Sequence, residues 1–480
     1  MKDLLRDVMD YLKSQGAEYA DARYEEHHLE NITVENANLK SLSYDLDRGI
    51  GIRVLYKGGW GFAATDKLGK DHIISAAKLA LEIAKESSLR SNGIELSKEK
   101  PHKDEFKSPF EKDPFDIPTG EKIDLLKEAT SLMMKRENVK RSVGNMDFRK
   151  ITKIFVNTEG SEIEQLILIS GAGIAAYAVS EEDFQVRSYP SSFGGDYATR
   201  GWEFVEQMDL VGNAEKVSQE AEALLKADEI KPGEYDIIID GQQMALQVHE
   251  SCGHPTELDR VFGYEISFAG GSFLQPDKLN KLRYGSEIVN ITADATIPGG
   301  LGSFGYDDEG VKAQKSFLVK DGIFVGYLMD RQTAAKLGMK SNGAARAQSW
   351  RNIPIIRMTN INLLPGKETL DDLISGIDYG FLLSMNKSWS IDDMRVNFQF
   401  ATEIAYEIKG GKLTGRIFKN PVYHGKTTEF WNSCDGIANE SHWHVWGLPN
   451  CGKGQPMQVM YVGHGTSPAR FRKIKVGVAK

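Results

Sequence analysis

The sequence predicts an α+β protein: N-terminal units of helices and antiparallel strands, then a β-rich C-terminal domain carrying a histidine-bearing helix. Three observations lead there. Residues 1–100 and 121–230 share the order helix, strands, helix. A charged, proline-rich stretch without apolar periodicity, 101–120, lies between them as a linker. From residue 231 onward, one helix apart, short strand-like runs separated by Gly, Asn and Asp dominate to the end. At 480 residues the chain is too long for one compact core, and 231–480 is taken as a third domain.

In order along the chain, Leu4, Leu5, Val8, Met9 and Leu12 recur at helical spacing and predict an amphipathic first helix. From Ala20 to about Thr65 the β-rich runs punctuated by Asn, Asp and Gly-Gly predict an antiparallel meander. "KDHIISAAKLALEIAKESS" returns to a helix. After the linker, "GEKIDLLKEATSLMMKRE" is helical, and three or four strands follow from Val143 to about Tyr189. Helical segments around Trp202–Met208 and Ala214–Lys226 close that unit. "KPGEYDIIIDGQQMALQVHE" then reads as a Pro-Gly break, a strand and a helix.

Composition narrows the function. A hydrophobic content of 41% supports a large core. A net charge of -9 and a pI of about 5.7 carry no basic footprint for nucleic acid. Three cysteines make no disulfide framework, which points to a reducing compartment and a cytoplasmic location. Neither a signal-peptide core nor a run able to span a bilayer is expected.

The chemistry concentrates in "LQVHESCGHPTELDR", Leu246 to Arg260. His249 and His254 are five apart, one more than in the H-E-x-x-H of many metallopeptidases. On a regular helix five residues turn through about 140°, against about 40° for four, so an undistorted helix cannot aim both at one ion. A single π-turn absorbs the extra residue. Alternatively Pro255 ends the helix, with His254 just beyond it. Gly253 loosens the helix for either route.

"GEYDIIIDGQQMALQVHESCGH" resembles the strand-then-helix entry of the TldD/PmbA metallopeptidases, whose active members carry H-E-x-x-x-H. "GSFGYDDEGVKAQKSFLVKDGIFVGYLMDRQTAAKLG", "ARAQSWRNIPIIRMTNINLLPG" and "CGKGQPMQVMYVGHGTSPARFRKIKVG" resemble later stretches of that family, and "GIGIRVLYKGGWGFAATD" is similar to its N-terminal hairpin. The resemblance implies one zinc ion per chain, held by His249, His254 and Cys451. A His₂Cys set with one open position suits catalytic zinc. Cys252 stands where the family more often has an apolar residue, and local packing is its expected role. His442 and His444, two apart on one face of a strand, are expected to line the site or the core, and His464 carries a weaker signal.

The resemblance further implies hydrolysis of short or unfolded peptides, with Glu250 as general base, in a homodimer or a heterodimer with a sister lacking the motif. Tyr306, Arg346 and His444 are candidates for contacting substrate or stabilising an oxyanion. The acidic run "YDDEG" lacks the spacing of an EF-hand loop and is expected to be a hydrogen-bonded turn. Two other readings fit the same residues: a metal-free, non-catalytic binding or assembly partner of a sister peptidase, and a metal-dependent hydrolase of non-peptide amides.

Overall fold

The structure is a computed structural model and describes residues 1–477. The N-terminal meander comprises strands Tyr19–Glu35, Asn38–Tyr56 and Gly59–Thr65, paired antiparallel. The middle unit adds Val139–Asn157, Glu162–Val179 and Phe184–Tyr189. These are not two sheets. Tyr19–Glu35 pairs along its length with Val139–Asn157, so both units share one eight-stranded sheet.

The 101–120 stretch contributes to that sheet as well. Lys103–Lys107 pairs in parallel with Glu162–Leu166 at an edge, and Pro114–Asp116 forms a 3₁₀ turn capped by Asp113. An edge strand held by main-chain bonds needs no apolar alternation, and KDEFK has none. Helices Lys2–Ser14 and Lys70–Ser88 cover one half of the sheet through Leu5, Val8, Leu12, Ile73 and Ala77. Helices Thr119–Met133, Trp202–Met208 and Leu210–Leu224 cover the other half.

Glu162–Val179 alternates buried and half-buried residues at both ends but is buried on both faces at its centre. There Ile167 and Ile169 pack with Leu301 and Phe304 of the C-terminal domain. Gly171 leaves room for the Tyr197 ring of the adjoining strand Asp196–Ala198, since a Cβ would lie 1.9 Å from it.

The C-terminal domain holds a second eight-stranded sheet, a four-stranded sheet and two two-stranded ribbons. Strand Gly233–Ile239 lies inside the large sheet, parallel to Tyr379–Ile391 and antiparallel to Ala469–Val476. It is buried where it reads Ile-Ile-Ile and feeds straight into the helix Gly241–Val248. The Asp240 side chain caps that helix by accepting the Gln243 N–H at 2.8 Å. No helix among the described residues is long and apolar enough to cross a membrane.

Candidate metal centre

The helix entered at Gly241 keeps α geometry to Val248, passes through a π-turn over His249–Gly253, and ends in a 3₁₀ turn, His254–Thr256. The His254 N–H reaches back five residues to the His249 carbonyl. The two geometries the sequence allows thus occur in succession: the π-turn absorbs the extra residue, and Pro255 lies in the turn that ends the helix. Gly253 packs directly on Met358: a Cβ there would meet its Sδ at 2.4 Å, so the methionine would have to shift.

Cys451 arrives from the other side, on the ribbon formed by His444–Lys453 and Gln458–Thr466. Leu448 faces Val462 and Cys451 faces Met460, so one residue is extra and the strand bulges at Pro449–Asn450. Such a bulge re-aims the side chains after it. Cys451 Sγ ends 3.5 Å from His249 Nε2 and 3.8 Å from His254 Nε2. One donor atom from each of the three lies within 4.8 Å of the others, and all three residues are buried.

These separations fit zinc. With Zn–N of about 2.0–2.1 Å and Zn–S of about 2.3 Å at tetrahedral angles, N and S donors stand about 3.6 Å apart. The outer nitrogens are engaged: His254 Nδ1 lies 2.9 Å from Glu257 Oε2, and His249 Nδ1 lies 2.8 Å from His464 Nε2. Both Nε2 atoms are thereby left for an ion.

Electrostatics favour a thiolate. Burial alone would raise the Cys451 thiol; His249, Arg357 and His254 overturn that and hold it well below its ordinary range. Burial pulls down on both imidazoles. At His249 the Cys451 thiolate outweighs it and the imidazole is raised, while at His254 burial prevails.

Glu250 lines the same cleft, of about 420 Å³, walled by Phe193, Leu246, Trp389, Ile391 and Leu448. Its Oε2 is 2.5 Å from Arg395 Nη1. Arg395 occupies a turn in which the Asp392 carboxylate accepts the N–H groups of Val396 and Asn397, and its own backbone is left-handed, φ 63°. That conformation is unfavourable for a residue with a Cβ, and the turn's hydrogen bonds hold it.

The other sequence candidates stand elsewhere. The Tyr306 hydroxyl donates to Asp104 at 2.6 Å, at the seam with the N-terminal sheet. Arg346 donates to the carbonyls of Met358 and Tyr461, at 2.7 and 2.8 Å. His444 pairs with Asp196 at 2.7 Å, and His442 accepts the Leu370 N–H. None of the four is among the residues lining the cleft. The Cys252 thiol is buried in the domain core and pushed up to about 12 by that burial. The carboxylates of YDDEG are taken up internally: Asp307 by three backbone N–H groups, Asp308 by Lys153, Glu309 by Arg53.

Sequence reading missed Arg395 and Glu257. Glu257 carried a usable signal, three residues after a candidate ligand in a turn-forming context. Arg395 carried none, being a lone cation in a hairpin turn.

Fold and site together define a class: an α+β protein whose C-terminal domain gathers two imidazoles and a thiolate beside a carboxylate in an open cleft. Comparison with known proteins makes it specific. Residues 232–478 match the PmbA/TldA metallopeptidase C-terminal domain, 20–84 match domain 1, and 112–225 the central domain. The chain belongs to the PmbA/TldD family. It is 30% identical over 474 residues to a metalloprotease of Methanothermobacter thermautotrophicus, covering 99% of this chain and 97% of that one. A zinc metalloprotease TldD homolog of Saccharolobus solfataricus is 25% identical, over 96% of this chain and 97% of its own. A solved structure from Thermotoga maritima shares the fold with a TM-score of 0.79 at 17% identity, covering 99% of this chain and 100% of that chain. TldE from Thermococcus kodakarensis shares it with a TM-score of 0.71 at 17% identity, at the same coverage.

Proposed function

We propose that this chain is a zinc-dependent peptidase acting on short or unfolded peptides. One observation carries the reading: His249, His254 and Cys451 converge within a cleft that also presents Glu250. In this reading those three residues would hold one zinc ion per chain beside the cleft. When bound, zinc supplies a Lewis acid that polarises a carbonyl and makes water nucleophilic near neutral pH.

Glu250 accepts the proton of the attacking water and returns one to the leaving amine. Arg395 holds the Glu250 carboxylate in place in the cleft through their ion pair. The apolar walls take side chains of the substrate. Among the described residues Ser390 and Ile391, which line the cleft, pair only with Gln399 and Phe398, and in this reading their other edge takes an extended peptide.

By the same reading the chain is the metal-bearing subunit of a homodimer, or of a heterodimer with a motif-lacking sister, and works in the cytoplasm. Three free, buried cysteines suit a reducing compartment.

Glu250→Gln tests the proposal against a panel of unstructured peptides. The variant is expected to keep one zinc per chain and lose hydrolysis by about 10²–10⁴-fold. Retained activity would remove Glu250 from the role, and an uncut panel with wild-type protein would remove the peptidase reading.

A further inference from the structure

The side chain behind the first proposed metal ligand is a second histidine. His464 lies on strand Gln458–Thr466 and is 1% exposed. Its ring has two hydrogen-bond partners among the described residues. Nδ1 is 3.2 Å from the carbonyl oxygen of Ile361, and Nε2 is 2.8 Å from Nδ1 of His249.

A carbonyl oxygen only accepts, so His464 Nδ1 carries a hydrogen. If Nε2 carried one too, it would confront His249 Nδ1 as a donor. His249 would then need its lone pair on Nδ1 and a hydrogen on Nε2, the atom facing Cys451. A neutral His464 resolves this: Nε2 accepts from His249 Nδ1–H, and the lone pair of His249 falls on Nε2. The chain of donors runs from His249 through His464 to the Ile361 carbonyl.

We propose that His464 is a positioning residue for the zinc site, fixing the tautomer and ring plane of His249 as Glu257 does for His254. The inference rests on the zinc reading above. Its physical content is that the two imidazoles are oriented by different chemistries, a carboxylate at His254 and a neutral imidazole at His249. The neutral partner orients without adding a third anion to a buried site that already holds Glu257 and the Cys451 thiolate.

The seat of His464 is rigid. Its neighbours are glycines because the strand is pressed against other groups. A Cβ at Gly463 would lie 2.1 Å from Asn360 Oδ1, and one at Gly465 would lie 1.9 Å from the Trp443 ring.

The test is zinc affinity of the full chain, measured by competition with a chelating indicator. His464→Phe keeps a ring and removes both nitrogens; His464→Gln keeps an acceptor for His249 and a donor for Ile361. H464F is expected to bind zinc about 10–100-fold more weakly than wild type, and H464Q to recover most of that loss. Melting temperatures of the metal-free variants report folding separately. Wild-type affinity in H464F, or equal weakness in both variants, would overturn the assignment.

Histidine-labelled wild-type protein gives a readout that needs no variant. Long-range ¹H–¹⁵N spectra of the zinc-loaded chain should show His464 and His249 both as Nδ1–H tautomers, and an Nε2–H His464 would overturn the proposal. A wild-type chain that holds no zinc would instead strike the zinc reading beneath it, visible before any variant is compared.

Discussion

Two buried polar clusters are built from the same two segments, 249–265 and 451–453, and they are completed differently. In one, His249, His254 and Cys451 present three donors beside an open cleft. In the other, Glu257, Asp259 and Glu265 surround Lys453, whose ammonium lies 2.7 and 2.9 Å from the Asp259 oxygens and 2.6 Å from the Ile356 carbonyl. Arg260 adds a second cation through Glu265 at 3.1 Å. The acidic cluster carries its cation covalently; in the proposed reading the His₂Cys cluster takes one from solution. Glu257 joins them, since its Oε2 takes His254 and its Oε1 faces Lys453 at 3.5 Å. Two such different sites can adjoin because the counter-charge decides what each can bind: a neutralised cluster stiffens the fold, and an incomplete one is available for chemistry.

The largest effect is expected from taking away the built-in cation. Lys453→Met strands three carboxylates in a fully buried place with Arg260 alone, and losing one partner of a buried charge set costs about 3–5 kcal/mol. Denaturant titration of the metal-free protein measures it, and a loss under 1 kcal/mol would break the comparison. Cys451→Ala comes next. It should abolish stoichiometric zinc, whereas Cys252→Ala, inside the histidine motif but buried in the core, should keep one zinc per chain. Metal analysis of the two purified variants separates them.

Arg395→Gln probes a cation that lines the open cleft. It removes the guanidinium paired with Glu250 and leaves the three donors in place, so peptide hydrolysis should fall about 10–100-fold with zinc content unchanged. Steady-state rates with metal analysis check this, and unchanged rates would leave the ion pair without a catalytic part.

The smallest effect concerns a carboxylate whose charged neighbours are other carboxylates. Burial, with Glu309 and Asp259 nearby, pushes the Asp330 carboxyl up to about 7. In the unfolded chain it ionises near pH 4, so the folded state holds a proton that the unfolded state has released. Stability present below pH 4 is therefore lost as pH rises toward 7. Asp330→Asn preserves the helix cap and should flatten that fall by about 1–3 kcal/mol in denaturation curves at pH 4 and 7. Parallel curves for both proteins would show that Asp330 does not titrate in this window.

What could be read from the sequence follows from how far each interaction reaches along the chain. The Leu4–Leu12 helix and the meander are local periodicities, and the structure shows both. The five-residue histidine spacing demanded a π-turn or a break, and both are present in sequence. The continuity of the N-terminal sheet was not legible, because pairing of Tyr19–Glu35 with Val139–Asn157 depends on register across more than a hundred residues. The 101–120 stretch read as a linker since an edge strand held by main-chain bonds leaves no side-chain pattern. Within the site, Cys451 came through family resemblance and not through spacing. Arg395 sits 145 residues from the carboxylate it pairs with, in a turn whose left-handed backbone no residue type announces.

X-ray absorption at the zinc edge of the purified, zinc-loaded chain tests the central claim most directly. Two nitrogens at about 2.0–2.1 Å, one sulfur at about 2.3 Å and a further light atom from solvent are the expected shell. A shell with two sulfurs, or one with no sulfur, would contradict a zinc ion held by His249, His254 and Cys451 with its fourth position open to substrate.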